Sequence, residues 1–123
     1  MKLISTKIHG MLDYAFGLLL IGFPWVMGNG GTGAESIIPA VLGICTLASA
    51  MMTDYEMGVL HIIPMPTHLL LDFISGILLI VSPWLFGYYE DYLPFVIIGL
   101  VEIAVVLFSN TIRDKKKDND NLI

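Results

Sequence analysis

Four apolar stretches, at about residues 8–28, 36–53, 67–87 and 92–111, take up most of this 123-residue chain. A helix needs about 20 residues to cross a hydrocarbon core about 30 Å thick, and each stretch is close to that length. Only 14% of the residues are charged and 56% are hydrophobic, whereas a soluble domain carries about 25% charged residues to cover its surface. Lipid must therefore supply the solvent. The pattern predicts an all-α polytopic membrane protein of four transmembrane helices, forming one domain over residues 1–123 in the plasma (inner) membrane. The first stretch runs uncharged from Tyr14 to Ala34, longer than a usual signal-peptide core and without an obvious small-x-small cleavage site, so it reads as a retained helix and not as a signal peptide.

The connections set the polarity. Asn29-Gly30-Gly31-Thr32-Gly33 and Tyr88-Tyr89-Glu90-Asp91 link the spans of each pair, and Pro64 and Pro66 interrupt the middle linker, 54–66. Thr67 is then the expected N-cap of the third span. All six basic residues, Lys2, Lys7, Arg113, Lys115, Lys116 and Lys117, lie near the termini. The positive-inside rule places both termini and the 54–66 linker in the cytoplasm and both short loops outside. The mixed-charge segment 113–123 is expected to be a solvated cytoplasmic tail. No basic patch interrupts residues 8–112, which excludes a nucleic-acid partner on electrostatic grounds. Cys45 is the lone cysteine, so no intramolecular disulfide can form, and it is expected to be a buried packing residue.

Residues 9–28 and 68–87 align without a gap at an offset of 59, with ten identities in twenty positions. His9/His68, Asp13/Asp72, Gly17/Gly76, Pro24/Pro83, Trp25/Trp84 and Gly28/Gly87 are among them. Apolar bias alone would not place His, Asp, Pro and Trp in register. The following helices match more loosely, through Pro39 to Gly43 and Pro94 to Gly99. Ser82-Pro83-Trp84-Leu85-Phe86-Gly87 resembles the signature of the SPW-repeat family of small bacterial integral membrane proteins; the first copy has Phe23-Pro24-Trp25 instead. The resemblance implies two transmembrane helices per repeat, with the signature in the first, and implies no particular activity. Repeat 1 then spans about 5–56 and repeat 2 about 64–112. Both enter the membrane with the same polarity, so they are expected to be related by a pseudo-twofold axis along the membrane normal.

The duplicated residues form stripes. His9, Asp13 and Gly17 are spaced i, i+4, i+8, as are His68, Asp72 and Gly76, so each set shares one helix face. Gly17 and Gly76 are expected to let the first and third helices pack closely, bringing the His/Asp pairs together at the cytoplasmic end. Two histidines and two carboxylates suit hydrogen-bonded fastening of the bundle, proton handling, or a metal or haem site. Asp54 and Glu56, at the end of the second span, are candidates to enlarge this polar cluster. Glu102 stands alone in the fourth span, where a charged group costs about 2.5–3.5 kcal/mol on insertion scales. It must face the interior or a cavity. Pro24 and Pro83 should bend the outer helix ends, Trp25 and Trp84 should sit at headgroup level, and Gly28 and Gly87 should end the helices.

No Gly-rich phosphate loop, Ser/His/Asp arrangement or paired-cysteine motif supports catalysis. The sequence therefore reads as a non-enzymatic structural or accessory membrane protein with no cofactor, in the bilayer and self-associating. The alternatives are a proton- or ion-coupled transporter or channel using Glu102 with the His9/Asp13/His68/Asp72 cluster, and a metal- or haem-binding protein.

Overall fold

The computed structural model describes residues 3–26, 28 and 31–111; Lys2, Arg113 and the tail 113–123 lie outside them. The described chain is all-α, with α1 Thr6–Val26, α2 Ala34–Met52, α3 Met65–Leu85 and α4 Tyr92–Leu107, the last preceded by a single 3₁₀ turn at Tyr89–Asp91. The first three helices are long and apolar enough to cross a membrane. α4, at 16 residues, is about 24 Å long at 1.5 Å per residue and ends before the expected position 111. The reason lies at its C-terminus. The Ile4 N–H donates to the Phe108 carbonyl at 2.8 Å, and the Asn110 N–H donates to the Ile4 carbonyl at 2.9 Å. The chain leaves the helix to make this short parallel bridge. The end of α2 does the same: Ile63 donates to Met52 and Asp54 donates to Ile63, both at 2.8 Å.

Within each hairpin the helices touch at glycines. A methyl group at Gly43 would lie 2.7 Å from the Gly17 carbonyl oxygen, and one at Gly99 would lie 2.7 Å from that of Gly76. Gly17 faces Gly43 and Leu47, while Gly76 faces Gly99 and Ile103. This corrects the expectation that Gly17 and Gly76 join α1 to α3. The small residues instead bring each helix against its own hairpin partner, because only there does a second glycine meet the first. α1 and α3 meet through longer side chains. Leu20, Phe23, Leu79, Tyr88 and Phe95 form one core cluster, and Ala50, Tyr55, Met65, Leu69 and Val106 form the other.

The inner faces leave large apolar side chains outside, among them Leu18, Leu19, Ile44, Leu70, Ile74 and Leu100. In water such a surface would be an aggregation liability; in lipid it costs nothing. Cys45 lies on this outer face and is exposed, contrary to the expected burial, because the inward positions of α2 are Ser36, Pro39, Gly43, Thr46 and Ala50. Thr67 is not a cap. α3 begins at Met65 after Pro64, with Pro66 in its first turn, where a missing N–H is tolerated. Pro24 and Pro83 are buried inside α1 and α3, Trp25 and Trp84 are exposed near the helix ends, and Gly28 and Gly87 adopt positive φ of 79° and 82°.

Candidate functional site

His9 and Asp13 lie one turn apart on α1, and His68 and Asp72 lie one turn apart on α3. All four are buried, with exposures of 0%, 6%, 0% and 3%. Their polar atoms close a ring that alternates nitrogen and oxygen. The His9 Nε2 lies 2.9 Å from Asp72 Oδ2 and 3.2 Å from Asp13 Oδ1. The His68 Nε2 lies 2.7 Å from Asp13 Oδ2 and 3.0 Å from Asp72 Oδ2. Each histidine thus meets its own aspartate and that of the other half, and the shorter distance in each case crosses between halves.

The outer nitrogens fix the tautomers. The Ser109 hydroxyl donates its single hydrogen to the Val105 carbonyl, so at 2.7 Å from the His9 Nδ1 it accepts. The Thr53 hydroxyl likewise donates to the Ser49 carbonyl at 2.6 Å and accepts from His68 Nδ1 at 2.7 Å. Both Nδ1 atoms therefore carry hydrogen, and both Nε2 atoms are turned toward the carboxylates. Ser49 adds a second hydroxyl 2.9 Å from the His68 Nδ1. The sequence reading missed Thr53 and Ser109 as ring partners. The signal was an offset of 56 between the second helices, which aligns Gly43 with Gly99 and Thr53 with Ser109.

The 53–64 linker closes the ring from one end. The Tyr55 hydroxyl donates to Asp13 Oδ2 at 3.0 Å. Burial, with the neighbouring Asp13 carboxylate, pushes this phenol well above its ordinary range, so it stays a donor. Tyr14 in turn donates to the Met57 carbonyl at 2.8 Å and pins the linker to α1. Asp54 and Glu56 do not join the ring. Asp54 lies outside, 3.2 Å from the exposed His61, and Glu56 accepts from the Thr6 hydroxyl at 2.8 and 3.0 Å. Tyr55, between them, is the linker residue that turns inward, fully buried and bonded to Asp13.

Glu102 is buried at 7% exposure, as an isolated intramembrane acid should be. Its carboxyl lies beside Ser75, but neither Glu102 Oε2 nor the Ser75 hydroxyl has a hydrogen-bond partner. Ser75, Asp72, Thr46 and Ser49 line a cavity of about 150 Å³ between α2 and α3. Glu102 is separate from the ring and reaches its neighbourhood through Ser75.

The signature serine has a local task. Ser82 donates to the Leu79 carbonyl and accepts from the Tyr88 hydroxyl. Burial pushes the Tyr88 phenol up, so this donor needs an acceptor. In the first half, Phe23 occupies the corresponding position and packs edge-on against Phe95 at 5.4 Å.

A sequence model of the SPW repeat domain family matches residues 7–109. No curated protein and no solved structure matches the chain.

Proposed function

This chain belongs to the SPW-repeat family, and from that premise we propose that it is a non-enzymatic structural or accessory membrane protein whose two hairpins are clasped by the His/Asp ring. Each hairpin crosses the bilayer twice, with both termini cytoplasmic and a pseudo-twofold axis along the membrane normal. Contacts that repeat at offsets of 59 and 56 support the axis: Gly17 on Gly43 and Gly76 on Gly99, Ile63 with Thr53 and Ile4 with Ser109.

The carrying observation is the exchange of partners, His9 with Asp72 and His68 with Asp13. Helices in lipid gain little from apolar contact, so packing and interhelical hydrogen bonds must hold them. Removing one member of a buried ionic pair costs about 3–5 kcal/mol because its partner is left uncompensated. A double-mutant cycle with His9→Gln and Asp72→Asn tests the clasp. Each single variant should lose stability in that range in detergent unfolding. The double variant should lose clearly less than the sum, with a coupling above about 1 kcal/mol. Additive losses would overturn the clasp.

A second reading, a proton- or ion-coupled transporter or channel, is favoured by one observation. Ser75 lies both beside the buried Glu102 and on the wall of the cavity that Asp72 lines. That reading depends on the acid at position 102.

A further inference from the structure

We propose that the His9/Asp13/His68/Asp72 ring binds one divalent first-row transition metal ion, with zinc the best match to its donors. The proposal goes beyond the clasp and does not require it. Four ligand atoms, one from each residue, lie within 4.8 Å of one another. Each Nε2 is hydrogen-bonded to the other half's carboxylate and also has its own half's carboxylate within reach: 2.9 and 3.2 Å at His9, 2.7 and 3.0 Å at His68.

The hydroxyl partners prepare the metal-bound state. With both Nδ1–H groups donating to Ser109 and Thr53, the free lone pair of each neutral ring is on Nε2. A second nitrogen held by an outer acceptor is the usual support of a metal-bound histidine, fixing its tautomer and orientation. Tyr55 gives the same outer support to Asp13.

Charge and size agree. The clasp uses a proton on each Nε2, and metal binding releases those protons, after which the two buried carboxylates carry two negative charges. The only lysine or arginine among the described residues is Lys7, which is exposed. A divalent ion would balance them. Metal–ligand bonds of about 2.0–2.1 Å in a tetrahedron give ligand–ligand separations of about 3.3 Å. The adjacent ring distances of 2.7–3.2 Å lengthen slightly to reach this value, and the opposite pairs, all within 4.8 Å, close toward it. Two nitrogens and two carboxylate oxygens without sulfur select zinc, iron(II) or manganese over softer ions. Four protein ligands leave no open position, which makes the site structural and not catalytic.

The test is elemental mass spectrometry on full-length protein, purified in mild detergent through a tag without histidine and without chelator. About one zinc per chain is expected. His61→Ala should keep it, whereas Asp13→Asn and Asp72→Asn, which preserve side-chain size, should lose it. Chelator-stripped wild type, titrated with zinc against a chromogenic chelator, should recover one site, and cobalt(II) should show the visible bands of tetrahedral coordination. If the asparagine variants fail to fold, Ser109→Ala decides. It leaves all four ligands in place and should weaken zinc binding by about 10–100-fold, while a purely hydrogen-bonded ring predicts no zinc binding to weaken. Stripped protein that takes up neither zinc, iron(II) nor manganese overturns the proposal. In that case, coupling retained between His9 and Asp72 would leave the clasp standing; bound metal without coupling would reject the clasp and keep the site.

Discussion

Glu102 is the residue whose chemistry is hardest to account for by packing alone. Thr46 occupies the equivalent position at an offset of 56, and there the hydroxyl simply donates to the Leu42 carbonyl one turn back, at 2.9 Å. The acid has no such internal partner for its Oε2, so it carries the desolvation cost of a buried polar group without full compensation. If it serves ion coupling, Glu102→Gln should abolish pH-dependent flux in proteoliposomes while the protein still folds, because the amide keeps the volume and cannot release a proton. Flux that survives the substitution removes Glu102 from the coupling path. At this scale the sequence was legible wherever residue identity was rare for its surroundings. His9, Asp13, His68 and Asp72 stood out as duplicated polar residues in apolar runs, and the ring brings all four together. Thr53 and Ser109 did not stand out, because Ser and Thr satisfy themselves on helix carbonyls and are ordinary in apolar helices.

Among the elements, the helices themselves were readable to within a few residues from apolar length, but their pairing was not. An i, i+4, i+8 stripe says which residues share a face and nothing about which neighbour that face meets. The glycines Gly17 and Gly76 were therefore assigned to one contact when they form two. The proline pair Pro39/Pro94 suggests an offset of 55 between the second helices and the glycine pair 56. Packing follows the glycines, since Pro39 and Phe95 are the buried pair. This gives a sharp contrast to measure. Gly43→Ala places a methyl group 2.7 Å from the backbone oxygen of Gly17, whereas Gly22→Ala meets nothing within 4 Å. Overpacking costs about 1–3 kcal/mol, and an unopposed Gly-to-Ala change in a helix gains up to about 1 kcal/mol from propensity. Unfolding in detergent should show Gly43→Ala destabilised by that amount and Gly22→Ala unchanged or more stable. Equal effects would mean that α1 and α2 do not approach at this point.

For the whole molecule, the question is whether α4 crosses. Its 16 residues fall short of a full span, but its N-terminal end is extended by the 3₁₀ turn at Tyr89–Asp91 and its C-terminal end by the bridge to Ile4. Those two extensions place polar termini on opposite sides of the apolar run. The proposed direction, with the termini cytoplasmic, rests on the positive-inside rule, since Lys7 and the other basic residues all lie toward the chain ends and none lies between 8 and 112. Single cysteines placed in a Cys45→Ser background can read this directly, at positions whose side chains are exposed: Thr32, His61, Glu90 and Thr111. In intact cells a membrane-impermeant thiol reagent should label Thr32→Cys and Glu90→Cys, and should reach His61→Cys and Thr111→Cys only after permeabilisation. Labelling of Thr111→Cys from the same side as Glu90→Cys would leave α4 as a helix that enters without crossing. The two halves would then lose their common polarity, and no axis along the membrane normal could relate them. If Thr111→Cys is protected together with His61→Cys, the bridges of Ile4 to Ser109 and of Ile63 to Thr53 lie at one membrane face, beside the His/Asp ring. That face is the one the N-terminal segment and the linker must both reach for the two hairpins to be held together.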